Sequence, residues 1–427
     1  MNSAFINSAS INSASNNSAS NNSAFINPVI EQLPPYPFAK MTTLLAGIEP
    51  AKDQPLIKLG IGEPKHPPPK FVLDALLEHV GKVQHYPNTG GMPELSQTIA
   101  DWLSKRFHLT DVDPNHHIIP VMGSREAIFS FVQAVINRHH IKKPYVVMPN
   151  PFYQIYEGAT LLAGAKPYYV PCTADTKFKA DYANVPADVW QRTQLVFVCS
   201  PNNPTGSVLN QDDWQHLLAL ADEHDFVIAS DECYSELYFD TPPIGLLQAC
   251  ATLGRDDYDR CVVFHSLSKR SNLPGLRSGF VAGDAKLLNS YLQYRTYHGC
   301  AMPLHHQHAS MTAWQDETHV QANRDLYAQK FDLWLDRLGN KLNLRRPEAS
   351  FYLWVAVPDC FDNDDELFVK SLYSQCGIHA LAGRYLSRDV GGQNPGQGFV
   401  RLALVASMEE NHDAIERIDR LLKSTGY

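Results

Sequence analysis

No two of the eight cysteines stand at the Cys-x-x-Cys spacing of a zinc site or a redox pair. Cys172, Cys199, Cys233, Cys250, Cys261, Cys300, Cys360 and Cys376 are scattered, several inside apolar runs; they read as reduced, buried thiols of a cytoplasmic protein. No apolar stretch approaches the roughly 20 residues that span a bilayer, and the N-terminus lacks the charged-then-apolar order of a signal peptide, so no membrane partner is expected. Long Lys/Arg blocks are missing as well. The net charge of -9 comes from 45 acidic against 36 basic side chains, which argues against nucleic acid as a partner.

What is present is a chain of 427 residues, 44% hydrophobic and 19% charged, long enough to bury a large core in two domains or one large and one small. Residues 2 to 26 are five copies of a pentapeptide, Asn-Ser-Ala followed by Phe-Ile, Ser-Ile or Ser-Asn. Five short polar copies bury too little apolar surface to offset ordering entropy, so residues 1–27 read as a disordered extension without an assigned role.

From about Phe71, short apolar runs alternate with segments of helical spacing. Ile118 to Met122, Tyr145 to Met148, Leu195 to Cys199, Phe226 to Ala229 and Cys261 to Phe264 are rich in Val, Ile or Phe and short enough for strands. Glu94 to Phe107, Arg125 to Ile136 and Asp212 to Glu223 have helical spacing. This order predicts an α/β fold, a mostly parallel sheet with helices on both faces. The Pro-free stretch Leu304 to Leu338 predicts one helix or a kinked pair. Beyond it a strand at Phe351 to Val357, a helix at Asp365 to Cys376, a strand at Gly398 to Val405 and a final helix predict a smaller α+β domain. The expected division is an arm at 28–65 belonging in part to the small domain, a large ligand-binding domain at 66–309 and the small domain at 310–427.

In an open α/β sheet, ligands bind beyond the carboxyl ends of the strands, and four such ends are unusual here. Gly123-Ser124-Arg125 passes into a helix whose first amides suit an anion; many α/β turns share that pattern. Ser200-Pro201-Asn202-Asn203-Pro204-Thr205-Gly206 is turn chemistry by itself. Asp231, in Ser230-Asp231-Glu232-Cys233-Tyr234 directly after Phe226 to Ala229, is an acid that needs a cation, whether structural or ligand-borne. Ser266-Leu267-Ser268-Lys269, with Arg277 eight residues later, ends an apolar strand with an amine that packing does not explain. A desolvated lysine beside other cations is neutral near pH 7, as an amine nucleophile requires. Together the four ends call for a phosphate at Ser124, Ser266 and Arg277, an aldehyde at Lys269 and a protonated ring nitrogen at Asp231. Pyridoxal 5′-phosphate carries all three.

Asn-Pro-Thr-Gly, Ser-Asp-Glu-x-Tyr, Ser-x-Ser-Lys and Pro-Gly-Leu-Arg-x-Gly, in this order from about Leu59 to Val405, resemble the class I/II aminotransferases of the fold-type I pyridoxal-phosphate enzymes. The resemblance implies that Lys269 carries the cofactor as a Schiff base and shuttles the proton, and that Asp231 holds the pyridine nitrogen protonated. It implies hydrogen bonds from Asn203 and Tyr234 to the phenolic oxygen, a phosphate site of Arg277, Ser266 and the amides around Ser124 and Arg125, and Tyr153 stacked on the ring, although an aromatic there also suits a core. Arg401, a charge inside the apolar run Phe399 to Ala403, matches the arginine that forks onto the substrate α-carboxylate. Gly62 lies at the substrate side. Tyr86 matches a tyrosine that reaches the phosphate across a dimer interface, which implies a homodimer with shared sites.

Pro35-Tyr36-Pro37-Phe38, Gly60 to Pro67, Asn150 to Gly158, Ser268 to Phe280 and Tyr294 to Cys300 together resemble the bacterial N-succinyldiaminopimelate aminotransferases of lysine and cell-wall precursor synthesis. That resemblance implies exchange of an amino group between glutamate/2-oxoglutarate and N-succinyl-2-amino-6-oxopimelate by a ping-pong mechanism. Such dicarboxylic substrates need a second cationic contact, expected at Arg295 of a partner chain, with Arg384 and Arg388 next in line. An aminotransferase for aspartate or an aromatic amino acid, a pyridoxal-phosphate lyase, and a non-catalytic relative remain alternatives. His305, His306 and His308 carry no interleaved carboxylate and are assigned no metal.

Overall fold

The computed structural model describes residues 26–52 and 54–426; the pentapeptide copies lie outside these residues except for Ile26. Twelve strands occur among the described residues: β1 (Ile57–Lys58), β2 (Ile118–Val121), β3 (Tyr145–Asn150), β4 (Lys166–Pro171), β5 (Thr193–Cys199), β6 (Val227–Asp231), β7 (Cys261–Ser266), β8 (Gly279–Gly283), β9 (Tyr352–Ala356), β10 (Ile378–His379), β11 (Leu381–Ala382) and β12 (Phe399–Ala403).

Seven of them form one sheet in the order β2-β8-β7-β6-β5-β3-β4, parallel except that β8 runs against both its neighbours. β5 is buried at every position because the sheet is covered on both faces, so an apolar run without polar alternation is what the position requires. Leu195 and Phe197 pack with Phe131 and Tyr156 on one face, while Val196 and Val198 pack with Trp214 and Leu217 on the other. Each such side chain contributes roughly 1.5–3 kcal/mol on burial.

The covering helices start one residue before the predicted ones, at Pro93–Phe107, Ser124–Val135 and Gln211–His224. The last begins with a capping box in which Asn210 and Asp213 each accept the other's backbone N–H; such a cap contributes about 1 kcal/mol. Leu304 to Leu338 is the kinked pair, Leu304–Gln315 and Thr318–Leu338, broken where Asp316 turns extended and its carboxylate accepts from the His319 amide. The expected boundary between 309 and 310 falls inside the first of these helices, which packs on Lys70–Glu78 and Pro93–Phe107.

A smaller antiparallel sheet, β11-β12-β9, sets Arg401 opposite Leu381 and Trp354. Its core joins Leu353, Val355 and Leu402 to Phe331 and Trp334. β1 pairs in parallel with β10, which brings the segment around Gly60 against the C-terminal part of the chain.

One edge of the large sheet collects the chemistry. β2 runs parallel to β7 because β8 lies antiparallel between them, and Val121 and Ser266 both stand opposite Gly279. The residues following β2, β5, β6 and β7 and those preceding β8 therefore meet at that edge.

Candidate active site

A cavity of about 500 Å³ opens at this edge, lined by four basic side chains, Arg125, Lys269, Arg277 and Arg401, against two acidic ones, Glu63 and Asp231. The imbalance suits an anionic ligand.

Asp231 ends β6 and is buried; its Oδ2 accepts from Tyr156 Oη at 2.7 Å and its Oδ1 from the Cys233 amide at 3.3 Å. No lysine or arginine among the described residues pairs with it. Burial pushes its carboxyl up, against the lowering effect of the Cys233 and Tyr156 hydrogen bonds. A cation on a ligand is what stabilises the ionised form there.

The opposite mismatch holds for the arginines. Arg401, also buried, donates through Nη1 to Asn203 Oδ1 at 2.9 Å and through Nη2 to the Gly60 carbonyl at 2.8 Å, while its buried Nε has no partner. Its guanidinium lies 4.3 Å from the centre of the Tyr352 ring. Arg277 donates to the carbonyls of Pro274 and Met122 at 2.7 and 3.3 Å. Arg125 Nε donates to Tyr153 Oη at 2.6 Å. None of the three meets a carboxylate among the described residues; Arg401 is buried, Arg277 half-buried and Arg125 exposed, and a buried guanidinium such as that of Arg401 calls for an anion from a ligand.

Backbone geometry sets the anion cup. Gly123, at φ +84°, turns the chain into the helix Ser124–Val135, and a Cβ there would lie 2.3 Å from Arg277 Nη2, so glycine alone lets the guanidinium rest on the turn. No side chain caps that helix, leaving its first amides to an anion. Ser266 Oγ, 2.9 Å from Ser268 Oγ, faces the same space, and Ser124 Oγ accepts from the Cys233 thiol at 3.0 Å.

Lys269 follows β7 in the short turn Leu267–Arg270 and donates through Nζ to the Gly62 carbonyl. Loss of water on burial, opposed by Cys233 and reinforced by Arg401 and Arg125, pushes its pKa down to about 8. A usable fraction of the amine is then unprotonated near neutrality. Tyr234 Oη shares a hydrogen bond with Tyr352 Oη at 3.0 Å, and burial holds its phenol well above the usual range.

Pyridoxal 5′-phosphate fits this inventory: the cup takes a phosphate, Asp231 a ring cation and Lys269 a carbonyl carbon. The fit leaves Arg401 and Arg125 for carboxylates.

Gly62, Ser124, Arg125, Tyr153, Asn203, Asp231, Tyr234, Ser266, Lys269, Arg277 and Arg401 all line the one cavity. Tyr86 does not; it is fully exposed on its own chain. Arg295 corrects the sequence expectation. It is wholly buried and gives Nη1 and Nη2 to the two oxygens of Glu126 at 2.9 and 3.0 Å, with further bonds to Tyr291 Oη and the Cys300 carbonyl. It has no free guanidinium to offer a substrate. Arg384 is bound to Asp364 and Asp365, and Arg388 to both oxygens of Glu157, so neither is free. Tyr36 and Glu63, noted in the sequence only as parts of longer segments, and Cys233 and Tyr352, given no role there, also line the cavity. Their signal is spatial, since Tyr36 and Glu63 come from the N-terminal segment and Tyr352 from β9.

A family model described as "Aminotransferase class I and II" matches residues 54–418. An aminotransferase structure from Neisseria meningitidis is 50% identical, with a TM-score of 0.89, over 93% of this chain and 100% of that one. The aminotransferase AspB of Helicobacter pylori is 36% identical, with a TM-score of 0.83, over 91% and 99%. Among curated relatives, the LL-diaminopimelate aminotransferase of Syntrophobacter fumaroxidans is 31% identical over 92% of this chain and 97% of its own.

Proposed function

The chain belongs to the class I and II aminotransferases, which use pyridoxal 5′-phosphate, and from that premise we propose that it transfers an amino group between glutamate and N-succinyl-2-amino-6-oxopimelate. The observation that carries the substrate class is the pair of arginines, Arg401 and Arg125, that enter the cavity without a carboxylate partner once Arg277 is assigned to the phosphate. Two such groups fit a substrate with an α-carboxylate and a second carboxylate further along.

Arg401 binds the α-carboxylate and Arg125 the distal one, the role first expected of Arg295. Ser124, Ser266 and Arg277 hold the phosphate. Asp231 keeps the ring nitrogen protonated; the cofactor so held supplies an electron sink for negative charge at the substrate α-carbon. Asn203 has committed its Oδ1 to Arg401, so its Nδ2 and Tyr234 would be the groups to hold the cofactor's phenolic oxygen. Tyr153, which lines the cavity, would pack against the ring. Lys269 Nζ, with its lowered pKa, would be the base that takes the proton from the substrate α-carbon and hands it on.

The site is shared between two chains in this reading. Tyr86, Leu77, Val83 and Tyr297 are exposed apolar or aromatic side chains, and a second copy covering them brings Tyr86 to its phosphate.

A second reading, LL-diaminopimelate as amino donor, is favoured by the similarity to an LL-diaminopimelate aminotransferase and by Glu63 in the cavity lining, an acid suited to a distal ammonium. Recording the bound-cofactor absorption band while adding N-succinyl-LL-diaminopimelate or LL-diaminopimelate, then 2-oxoglutarate, separates the two. Bleaching by the succinylated donor at far lower concentration supports the proposal. The reverse preference replaces it with the second reading, and no bleaching by either removes both.

A further inference from the structure

Lys330 is a lysine buried to 1% exposure in the helix Thr318–Leu338, with no carboxylate partner among the described residues. Its Nζ lies 2.7 Å from His66 Nε2, and His66 Nδ1 lies 2.8 Å from Asn323 Oδ1. Asn323 Nδ2 in turn donates to the carbonyls of Lys269 and Arg270 at 3.2 and 3.4 Å. An ammonium can only donate, so His66 accepts at Nε2 and carries its proton on Nδ1. Asn323 accepts that proton's hydrogen bond and passes donation on to the main chain of Lys269. Each step has the right polarity, and aligned hydrogen bonds of this kind reinforce one another.

The chain of bonds also fixes a segment whose backbone enters the active site. His66 ends the stretch from Gly60, and the Gly60 and Gly62 carbonyls accept from Arg401 and Lys269. Tyr327, on the helix that carries Lys330 and Asn323, packs its ring 4.6 Å from His66. Burial holds both Lys330 and His66 below their usual ranges, with Glu410 acting to raise Lys330 and Asn323 to raise His66. Keeping two such groups together without an acid costs stability, and a packing role alone is met by Met and Phe.

We propose that Lys330, through His66 and Asn323, is a positioning residue that pins the Gly60–His66 segment and thereby sets the resting places of Lys269 and Arg401. The inference rests on the proposed roles of those two residues. The relay touches neither substrate nor cofactor; it acts on the main chain of Lys269 at one end and on the loop facing it at the other.

The test uses the pyridoxal-phosphate-loaded, full-length enzyme and the variants Lys330→Met, Lys330→Gln and His66→Phe. Three quantities are read: the pH midpoint of the bound-cofactor absorption band, the rate at which glutamate bleaches it, and the melting temperature. The relay predicts that Lys330→Met and His66→Phe slow bleaching about tenfold, the effect of one lost charge-assisted hydrogen bond, and shift the midpoint. Melting of Lys330→Met should stay close to wild type, whereas His66→Phe, which leaves the buried ammonium without its partner, should melt lower; Lys330→Gln, which still donates to His66, should recover most of the rate. An unchanged midpoint and rate in His66→Phe overturns the proposal, and so does a Lys330→Gln variant as slow as Lys330→Met. If Lys330→Met does not fold, His66→Phe decides alone. A wild-type enzyme that glutamate does not bleach counts against the reading of the site itself, apart from the relay.

Discussion

Arg125 and Arg295 make opposite predictions, and the difference is large enough to measure. Removing the Arg125 guanidinium with Arg125→Gln takes away one charge-assisted contact to the distal carboxylate, roughly 1.5–3 kcal/mol. That corresponds to a loss of roughly ten- to a hundredfold in the efficiency of the glutamate half-reaction. Norvaline, which keeps the α-carboxylate but has no distal one, should react with wild type and variant alike. Arg295→Met instead breaks a two-oxygen pair between the wholly buried Arg295 and Glu126, itself one-fifth exposed. Such a break costs about 3 kcal/mol or more in stability, so this variant should melt several degrees lower while its half-saturation for glutamate hardly changes. Single-turnover decay of the bound-cofactor band, recorded with each amino acid, separates the two, and thermal melting completes the comparison. If Arg295→Met weakens glutamate but not norvaline, and Arg125→Gln does neither, the assignment of the distal carboxylate is refuted.

Because Lys269 has a lowered pKa of about 8, its unprotonated fraction rises with pH up to that value and then saturates. The rate at which apoenzyme captures pyridoxal phosphate should climb about tenfold per pH unit below 8 and flatten above it, whereas an ordinary lysine would keep climbing towards about 10.4; stopped-flow absorbance across pH 6 to 10 reads the difference. Co-expressing Tyr86→Ala with Lys269→Ala chains should restore activity in mixed dimers that neither variant shows alone, and the absence of rescue would speak against a shared site. In Gly62→Ala, the new Cβ would lie 1.9 Å from Tyr352 Oη; Tyr352 is buried and has little room to retreat. That variant should keep its circular dichroism spectrum and lose turnover by more than a hundredfold, an order of magnitude set by misplacement of a reacting group.

Much of the large sheet was legible because strands buried on both faces carry unbroken apolar runs, as β5, β6 and β7 do before their polar ends. β4 and β8 were harder. β4 is an edge strand containing two prolines and mostly half-buried positions, and β8 is Gly-Phe-Val-Ala-Gly, too small-residued to form an apolar run. The cofactor-side residues could be read because each follows a strand and one ligand chemistry unites them. The substrate side could not. Whether an arginine is free depends on a carboxylate far away in sequence, and nothing local to Arg295 or Arg388 shows that Glu126 and Glu157 have already taken them. The break at Asp316 was visible only as one of two alternatives, since its cause is a local carboxylate-to-amide bond.

The antiparallel run of β8 beside β7 has a consequence for how the cofactor site assembles. β7 and β8 are the neighbours in the large sheet that are joined as a hairpin, and Ser266, Lys269 and Arg277 all sit on it or in its connection. Closing so short a loop is entropically cheap and fast, whereas β2 must return from far earlier in the chain to dock on the outer side of β8. Amine and guanidinium are thus gathered by a local closure, whereas the Gly123-Ser124 turn reaches the cup only through a long-range one. A molecule that bridges the hairpin and the distant strand acts as a folding template, so pyridoxal phosphate present during refolding should raise the yield of native chain as well as load it.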